Sequence, residues 1–213
     1  MKHVVKLPKR VSVLVSGGGS NLQAIIDRMV DGSLPIEIVR VISNIPDVYA
    51  LTRAAQHNIP TKVISHKDYA DVNAFSTAIL EELLKAETDI VCLAGFLRIL
   101  SPEVPLAFPQ RMLNIHPALL PSFGGKGMYG HFVHRAVLAS GAQYSGATVH
   151  FVTEETDVGP IILQRSVPVL PDDDEDSLAE RVLQVEHEIY PQALQKVAEE
   201  KVQVNGLRVR LLE

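Results

Sequence analysis

The chain has a single cysteine, and none of its apolar runs approaches the roughly 20 residues that span a bilayer. Cys92 has no partner for an internal disulfide, and its apolar neighbours in "DIVCLAG" predict a buried strand position rather than a nucleophile. The start, "MKHVVKLPKR", lacks the apolar stretch and cleavage site of a signal peptide. These absences predict a cytoplasmic protein that does not bind membranes.

The chain also lacks a surplus of basic residues. Its 20 Lys and Arg residues are outnumbered by 25 Asp and Glu residues, which gives a net charge of -5 at pH 7. Binding to a phosphate backbone needs clustered Lys and Arg, so no nucleic-acid partner is predicted. The 46% hydrophobic content can fill one core, and no linker or repeat divides residues 1–213, which predicts a single domain.

Short apolar runs alternate with helically spaced apolar residues along the first part of the chain. The runs, at residues 11–15, 36–42, 61–64, 89–95 and 111–115, predict parallel strands joined by right-handed crossovers. After about residue 142 the longer runs "SGATVHFV" and "PIILQRSVPV" predict an antiparallel extension. The predicted fold is α/β, with a doubly wound, mostly parallel, Rossmann-like sheet.

A long final helix is predicted near the end of the chain. A capping box from Ser177 to Glu180 marks its start, and its apolar periodicity continues to about Lys201. The acidic run "PDDDED" ahead of it lacks the loop glycine of a calcium site, so we predict a solvated turn that leads into the helix.

The stretch "SGGGSNLQ" follows the first predicted strand. Gly17–Gly19 permit a tight turn, and Ser20 and Asn21 stand at the start of the next helix, where amide groups and the helix dipole favour a phosphate. The stretch is a poor dinucleotide fingerprint, because Leu22 occupies the position of the third glycine. Such a turn also occurs with a purely structural role, but beside the other strand ends it indicates a monophosphate site.

The stretch "MLNIHPALLP" sets an asparagine and a histidine two residues apart. Asn114 and His116 share one face by the two-residue period of a strand, and Pro117 ends that strand at once. The pair therefore lies at a carboxyl end, where open α/β sheets bind ligands. The alternative is a strand whose polar residues only face water.

Two further strand ends carry candidate residues. "AGFLRILSP" combines Gly95 and Arg98 with apolar neighbours, which suits a flat heterocycle with polar edges, although the stretch alone also fits a core segment with one exposed arginine. "TEETDVGPII" places Asp157 in a turn, where an aspartate is common for conformational reasons alone.

The histidines outside this pair give weaker evidence for a functional site. His150, in "TVHFV", is predicted to be a strand histidine rather than a ligand. His131 and His134 are one helical turn apart, but no third ligand motif accompanies them, so no metal is predicted.

Together these stretches resemble the phosphoribosylglycinamide formyltransferases, the folate-dependent glycinamide ribonucleotide transformylases of purine biosynthesis. The resemblance covers Val11 to about Val204, and rests on "SGGGSNLQAIID", "VCLAGFLRILS", "MLNIHPALLPSF", "GATVHFVTEETDVGPIILQ" and "EHEIYPQAL", in this order. It implies three sets of residues: catalytic Asn114, His116 and Asp157; ribonucleotide-binding Gly19, Ser20 and Asn21 for the phosphate and Glu186 for the ribose; and folate-binding Leu97, Arg98, Ile99 and Leu100, with the 153–157 turn.

The resemblance implies formyl transfer from 10-formyltetrahydrofolate to the amine of 5-phosphoribosylglycinamide, without a metal. Attack by an amine on a formyl carbon creates an oxyanion, for which an asparagine amide and an imidazolium supply two donors. A carboxylate such as Asp157 favours a cationic histidine beside it. The family's arginine before the third helix, which contacts the folate tail, is absent from "SHKDYADVNAF"; Lys67 is the substitute we predict, and the 124–130 loop is predicted to be mobile.

Three alternatives share parts of this pattern. A folate deformylase uses the same trio but normally has an extra amino-terminal domain, whereas only residues 1–10 precede the first predicted strand. A methionyl-tRNA formyltransferase needs a basic carboxyl-terminal domain, for which we expect no room. A non-catalytic phosphosugar-binding module would keep "SGGGSN" but has no need of the trio. The sequence leaves a homodimer open.

Overall fold

The computed structural model describes residues 7–213. Most of the stretch used to exclude a signal peptide, residues 1–10, therefore lies outside the described residues. Within the described part, no helix combines the length and apolar character needed to cross a membrane.

Strands and helices alternate as predicted through most of the chain. The strands are Lys9–Val15 (β1), Ile36–Ser43 (β2), Thr61–Val63 (β3), Ile90–Leu93 (β4), Met112–His116 (β5), Tyr144–Phe151 (β6), Ile161–Pro168 (β7), Val202–Asn205 (β8) and Arg208–Leu211 (β9). The α-helices are Ser20–Val30 (α1), Tyr49–Gln56 (α2), Val72–Lys85 (α3), Glu103–Ala107 (α4), His131–Ser140 (α5) and Glu175–Ala198 (α6), with a 3-10 helix at His66–Asp68.

Seven strands form one sheet in the order β3-β2-β1-β4-β5-β6-β7. Pairs among β1 to β5 are parallel, whereas β6 is antiparallel to both β5 and β7. The strand order reverses beside β1, between β1 and β4, which is where such sheets open a crevice for ligands. The predicted mostly parallel sheet with an antiparallel extension is confirmed.

The core occupies both faces of this sheet because side chains of a strand alternate in direction. In β1, Val13 and Val15 pack on one face with apolar residues of α1, α5 and α6, while Leu14 packs on the other with residues of α3 and α4. Cys92 lies buried in β4, and burial raises the pKa of its thiol to about 12, as expected of a structural cysteine.

Helix α6 is fastened to two central strands, β4 and β5. The hydroxyl of buried Tyr190 donates to the carbonyl oxygens of Leu93 at 2.9 Å and Leu113 at 3.2 Å. This anchor fixes the preceding turn of α6, which contains Glu186, over the carboxyl end of the sheet.

The predicted start of α6 was wrong. The helix begins at Glu175, its N-cap is Asp174, and Ser177 is the third helical residue. The Asp174 carboxylate accepts from the Ser177 amide at 2.8 Å, while the Ser177 hydroxyl lies 3.1 Å from the Asp174 amide, so this pair forms the reciprocal box. The box assigned to Ser177 and Glu180 was the same motif displaced by one turn.

The acidic run ahead of α6 is not wholly solvated as predicted. The side chain of Asp173 is only 3% exposed and forms an ion pair with Arg181 at 2.6 Å. Hydrogen bonding to this guanidinium holds the pKa of Asp173 well below its usual range. The Asp173 carboxylate therefore holds the segment that precedes α6 against the first turns of the helix.

The prediction that α6 continues to about Lys201 was also wrong. The helix ends at Ala198, and β8 and β9 follow as an antiparallel hairpin that we did not predict. Its signal is the Asn205-Gly206 pair between alternating apolar residues, and Gly206 takes the left-handed conformation that such turns need.

Candidate active site

The glycine-rich turn connects β1 to α1, as predicted. Gly19 is the N-cap of α1 with φ 72° and ψ 34°, and a Cβ at this position would lie 2.6 Å from the Cβ of Ala50. Only glycine fits both constraints. Because Gly19 offers no side-chain acceptor, the amide groups in the first turn of α1, including those of Ser20 and Asn21, remain available to an anion.

Arg53 of α2 adds a positive charge beside this turn, a residue that the sequence analysis missed. Its Nε donates to the Gly18 carbonyl at 2.8 Å and its Nη1 donates to the Gln23 Oε1 at 3.0 Å. The guanidinium is thus held by one bond to the turn and one to helix α1. Its signal in the sequence was only an arginine in the second helix, which carries no positional information alone.

Replacing Gly19 by valine tests the assignment of this turn as the phosphate seat. We expect ribonucleotide affinity to fall by about tenfold or more, because a left-handed β-branched residue costs on the order of 1–2 kcal/mol and would also displace Ala50. Folate affinity should change little. Calorimetric titration of each ligand separately is the measurement; a loss confined to folate would mean that the two sites are assigned the wrong way round.

Asn21 and Glu186, both assigned to the ribonucleotide, bind each other. The Asn21 Nδ2 donates to the Glu186 Oε2 at 2.6 Å, and both side chains are buried. The Asn21 Oδ1 has no hydrogen-bond partner among the described residues. Burial raises the pKa of Glu186 to about 7, although the Asn21 bond opposes this shift. Their roles toward phosphate and ribose stay predictions.

Glu186 should make stability depend on pH. Its folded pKa of about 7 lies above the usual value of 4.5, so the unfolded chain releases the proton first as the pH rises. The free energy of unfolding is therefore expected to fall between about pH 4.5 and pH 7 by on the order of 2–3 kcal/mol. Glu186→Gln, which cannot titrate, should lack this loss in urea denaturation of the ligand-free protein.

The control for this experiment is Glu180→Gln, at an exposed position of the same helix. We expect it to retain the wild-type pH dependence. If Glu186→Gln also follows the wild-type curve, the Glu186 carboxyl is not the buried group described above.

The trio predicted from the sequence comes together at the carboxyl end of β5. His116 Nδ1 lies 3.7 Å from Asp157 Oδ2, and the side chains of His116 and Asp157 are 4% and 10% exposed. Asn114 lies two residues before His116 on the same face of the strand. Strand β5 ends at His116, and Pro117 follows it directly, as predicted.

His150 is a fourth member of this cluster. It is a strand residue of β6, as predicted, but its register places it directly opposite Asn114, and its Nε2 is 3.1 Å from the Asn114 Nδ2. The same Nε2 lies 3.7 Å from Asp157 Oδ1. The sequence analysis missed this role because strand register was not available from the sequence.

The hydrogen bonds of His150 define its protonation. Its Nδ1 faces the carbonyl oxygen of Phe151 at 2.9 Å, so this nitrogen carries the proton. Burial lowers its pKa, although the Phe151 carbonyl and Asp157 oppose the shift. Neutral His150 therefore accepts from one N–H of Asn114 and fixes the orientation of that amide, which leaves the second N–H for a ligand.

His116 has both ring nitrogens engaged. Its Nε2 donates to the carbonyl oxygen of Phe123 at 2.8 Å, while Nδ1 faces Asp157. Phe123 leads into the glycine-rich 124–130 loop, and the Gly125 amide donates to Asp157 Oδ2 at 2.9 Å. This loop thus contacts two members of the trio.

The turn that carries Asp157 is closed by a glycine at close range. Asp157 has a φ of 59°, which aspartate tolerates better than most residues. A Cβ on Gly159 would lie 1.8 Å from the Phe151 carbonyl oxygen, so the turn can fold back on β6 only with glycine there. The predicted turn residue is therefore also aimed at both histidines.

The segment assigned to the folate follows β4. Leu97 and Ile99 are 52% and 62% exposed, and Arg98 is exposed too. Phe96 instead stacks on Phe75 of α3, with ring centroids 6.5 Å apart. Exposed apolar side chains beside a cluster of polar groups suit a flat heterocycle.

The remaining candidates are His131, His134 and Lys67. His131 and His134 have ring centroids 6.4 Å apart, and His131 faces Asp176 at 3.6 Å. Burial lowers the pKa of His134 to about 4. Across residues 7–213, no three His, Cys, Asp or Glu side chains are grouped so that they could hold a metal ion. Lys67 is exposed, and its predicted contact with the folate tail stays a prediction.

Comparison with known proteins assigns this arrangement to a family. The formyl transferase family matches residues 9–194 of the chain. The chain belongs to the formyl transferase family. This membership confirms the resemblance drawn from the sequence, and it confirms that the chain is a transferase by family.

Individual relatives agree with the family. The chain is 51% identical over 198 residues to the trifunctional purine biosynthetic protein adenosine-3 of Bos taurus, covering 92% of this chain but only 19% of that protein. Glycinamide ribonucleotide transformylase 1 from Symbiobacterium toebii is 42% identical with a TM-score of 0.92, over 97% of this chain and 95% of that one. A formyltetrahydrofolate deformylase from Pseudomonas syringae pv. tomato is 27% identical with a TM-score of 0.89, over 97% and 66% of the chains.

Proposed function

We propose that the chain transfers the formyl group of 10-formyltetrahydrofolate to the amine of 5-phosphoribosylglycinamide, a step of de novo purine biosynthesis. The observation that carries the proposal is the cluster of Asn114, His116 and Asp157 at adjoining strand ends. The turn suited to a phosphate follows β1, the segment suited to a pterin follows β4, and the cluster lies on β5, the next strand of the sheet. Transfer between two bound substrates needs these sites to be neighbours.

The residues of the cluster divide the chemistry between them. When the amine attacks, the formyl oxygen becomes an oxyanion, and the N–H of Asn114 that is not bound to His150 donates to it. His116 Nε2 supplies a second donor once the Phe123 carbonyl moves away, because that nitrogen is bound to it in the structure. The 124–130 loop is therefore expected to shift when the substrates bind.

Asp157 acts as the general base in this scheme. A C–N bond forms between amine and formyl carbon, the attacking nitrogen loses a proton to the Asp157 carboxylate, directly or through water, and the bond between the formyl carbon and the folate nitrogen breaks. The departing nitrogen then takes up the proton that Asp157 accepted, which returns the carboxylate to its starting form. No covalent enzyme intermediate is needed, and the buried thiol of Cys92 has no part in the step.

Deformylation is the second candidate function, because a deformylase shares this fold. In that reaction water replaces the amine and formate is released. A transferase needs the phosphate seat at Gly19 and the buried Asn21–Glu186 pair beside it, whereas water requires neither. These features favour the transferase.

The test mixes protein and 10-formyltetrahydrofolate with or without 5-phosphoribosylglycinamide and follows folate absorbance. We expect the folate to lose its formyl group only when the ribonucleotide is present. Equal rates with and without it would indicate a deformylase, and no change in either mixture would indicate a binding module. A cytoplasmic location, a homodimer and the absence of nucleic-acid or membrane partners stay predictions.

A further inference from the structure

A chain of hydrogen bonds runs across the carboxyl ends of neighbouring strands, through residues to which no role has been given. Ser16, directly after β1, holds the turn that follows β4 at two points. Its backbone N–H donates to the Gly95 carbonyl at 3.1 Å, and its hydroxyl oxygen accepts from the Leu97 amide at 2.8 Å. Ser16 thus fixes the start of the segment assigned to the folate.

The hydroxyl proton of Ser16 continues the chain in the other direction. It is donated to the Oδ1 of Asn44, after β2, at 2.6 Å, and the Asn44 Nδ2 lies 3.5 Å from His66 Nδ1 in the 3-10 helix after β3. Ser16 and Asn44 are buried, so water cannot replace a lost bond. Strand ends β3, β2, β1 and β4, neighbours in the sheet, are linked in sequence.

Ser16 is also the residue immediately before Gly17–Gly19, the phosphate seat. A displacement of the 95–97 turn must therefore move Ser16 and the seat with it. We propose that Ser16 is a positioning residue that couples the two substrate sites, so that folate binding at its segment favours ribonucleotide binding at the glycine turn. This inference rests on the proposed function for the identity of the two ligands.

Two other buried serines provide contrasts. Ser76 of α3 accepts from the Ser101 amide at 2.8 Å and so fixes only the far end of the folate segment. Ser12 lies within β1, four residues before Ser16, and its hydroxyl is hydrogen bonded to that of Thr88 at 2.7 Å rather than to either substrate segment. Alanine at Ser12, Ser16 or Ser76 removes one buried hydroxyl in each case, but only at Ser16 does it remove the side-chain bonds to Leu97 and Asn44.

The experiment measures the Kd of 5-phosphoribosylglycinamide by calorimetry with and without saturating tetrahydrofolate, which cannot donate a formyl group. We expect tetrahydrofolate to tighten ribonucleotide binding to the wild-type protein by about fivefold or more, within the usual range for coupled sites. Ser16→Ala should bring this ratio close to one. Ser12→Ala should keep the wild-type ratio, and Ser76→Ala should weaken folate binding while keeping the ratio.

A second variant keeps the experiment decisive if Ser16→Ala fails to fold. Asn44→Ala removes the acceptor of the Ser16 hydroxyl while leaving both substrate segments unchanged in sequence, and should also lower the ratio. A wild-type protein that binds both ligands without coupling, or a Ser16→Ala protein that keeps the coupling, overturns the inference alone. A wild-type protein that binds neither ligand rejects the proposed function, and the inference with it.

Discussion

Asn114→Ala is expected to lower kcat for formyl transfer by on the order of a hundredfold or more, the usual cost of removing one oxyanion donor. The amide is held in place by His150, at 3.1 Å, and its remaining N–H points away from that bond. Alanine removes the donor and also leaves the His150 Nε2 without it. Because the phosphate seat lies on a different strand end, the Kd of the ribonucleotide should stay near its wild-type value.

Steady-state kinetics and calorimetry on the same preparations check this prediction. His116→Ala is expected to show a comparable loss of kcat, since it supplies the second donor. The matched control is Asn73→Ala, at an exposed position of α3, which should keep wild-type turnover. Near-normal kcat in the Asn114 or His116 variant would remove that residue from the mechanism.

Asp157→Asn is expected to lower the single-turnover rate by about a hundredfold, in the range typical for loss of a general base. Asparagine preserves the size of the side chain and an acceptor for the Gly125 amide, so the turn should keep its conformation. What is lost is the carboxylate that lies 3.7 Å from both His116 and His150. Saturating substrates ensure that the measured change reflects chemistry rather than binding.

The control for this variant is Asp172→Asn, the same substitution at an exposed position ahead of α6, outside the segments assigned to either substrate. It removes one carboxylate but should keep the wild-type rate. If Asp157→Asn is as fast as Asp172→Asn, then Asp157 serves only the conformation of its turn.

The parts of the site that could be predicted were those that depend on local spacing. Asn114 and His116 share a face because a strand has a period of two, and Pro117 ends that strand. The turn at Gly17–Gly19 could be located because it stands between an apolar run and a helical pattern. Each of these conclusions needs only a few consecutive residues.

The contacts that were missed depend on residues far apart in the chain. His150 joins the cluster only because the register of β6 places it opposite Asn114. Arg53 reaches Gly18 from another helix, and Asn21 meets Glu186 across 165 positions of sequence. No periodicity within one segment indicates such pairs, since they are set by how the helices pack on the sheet.

The ends of the last helix were misplaced for a different reason. At its start, both Asp174-to-Ser177 and Ser177-to-Glu180 have the spacing of a capping box. Asp174 forms the cap, because it accepts from the Ser177 amide while the Ser177 hydroxyl accepts from the Asp174 amide. At its other end, the predicted helix ran to about Lys201, three residues past Ala198, and the hairpin that begins at Val202 was not predicted. Local patterns locate an element better than its limits.

The central claim is that the formyl group passes to the ribonucleotide amine, and following the formyl carbon tests it most directly. Folate carrying a ¹³C-labelled formyl group is mixed with the protein and 5-phosphoribosylglycinamide, and the destination of the label is read by NMR. The account predicts that the label appears as a formamide on the ribonucleotide in the wild-type protein, and far more slowly in Asn114→Ala. Label recovered as formate, with the ribonucleotide unchanged, would contradict it.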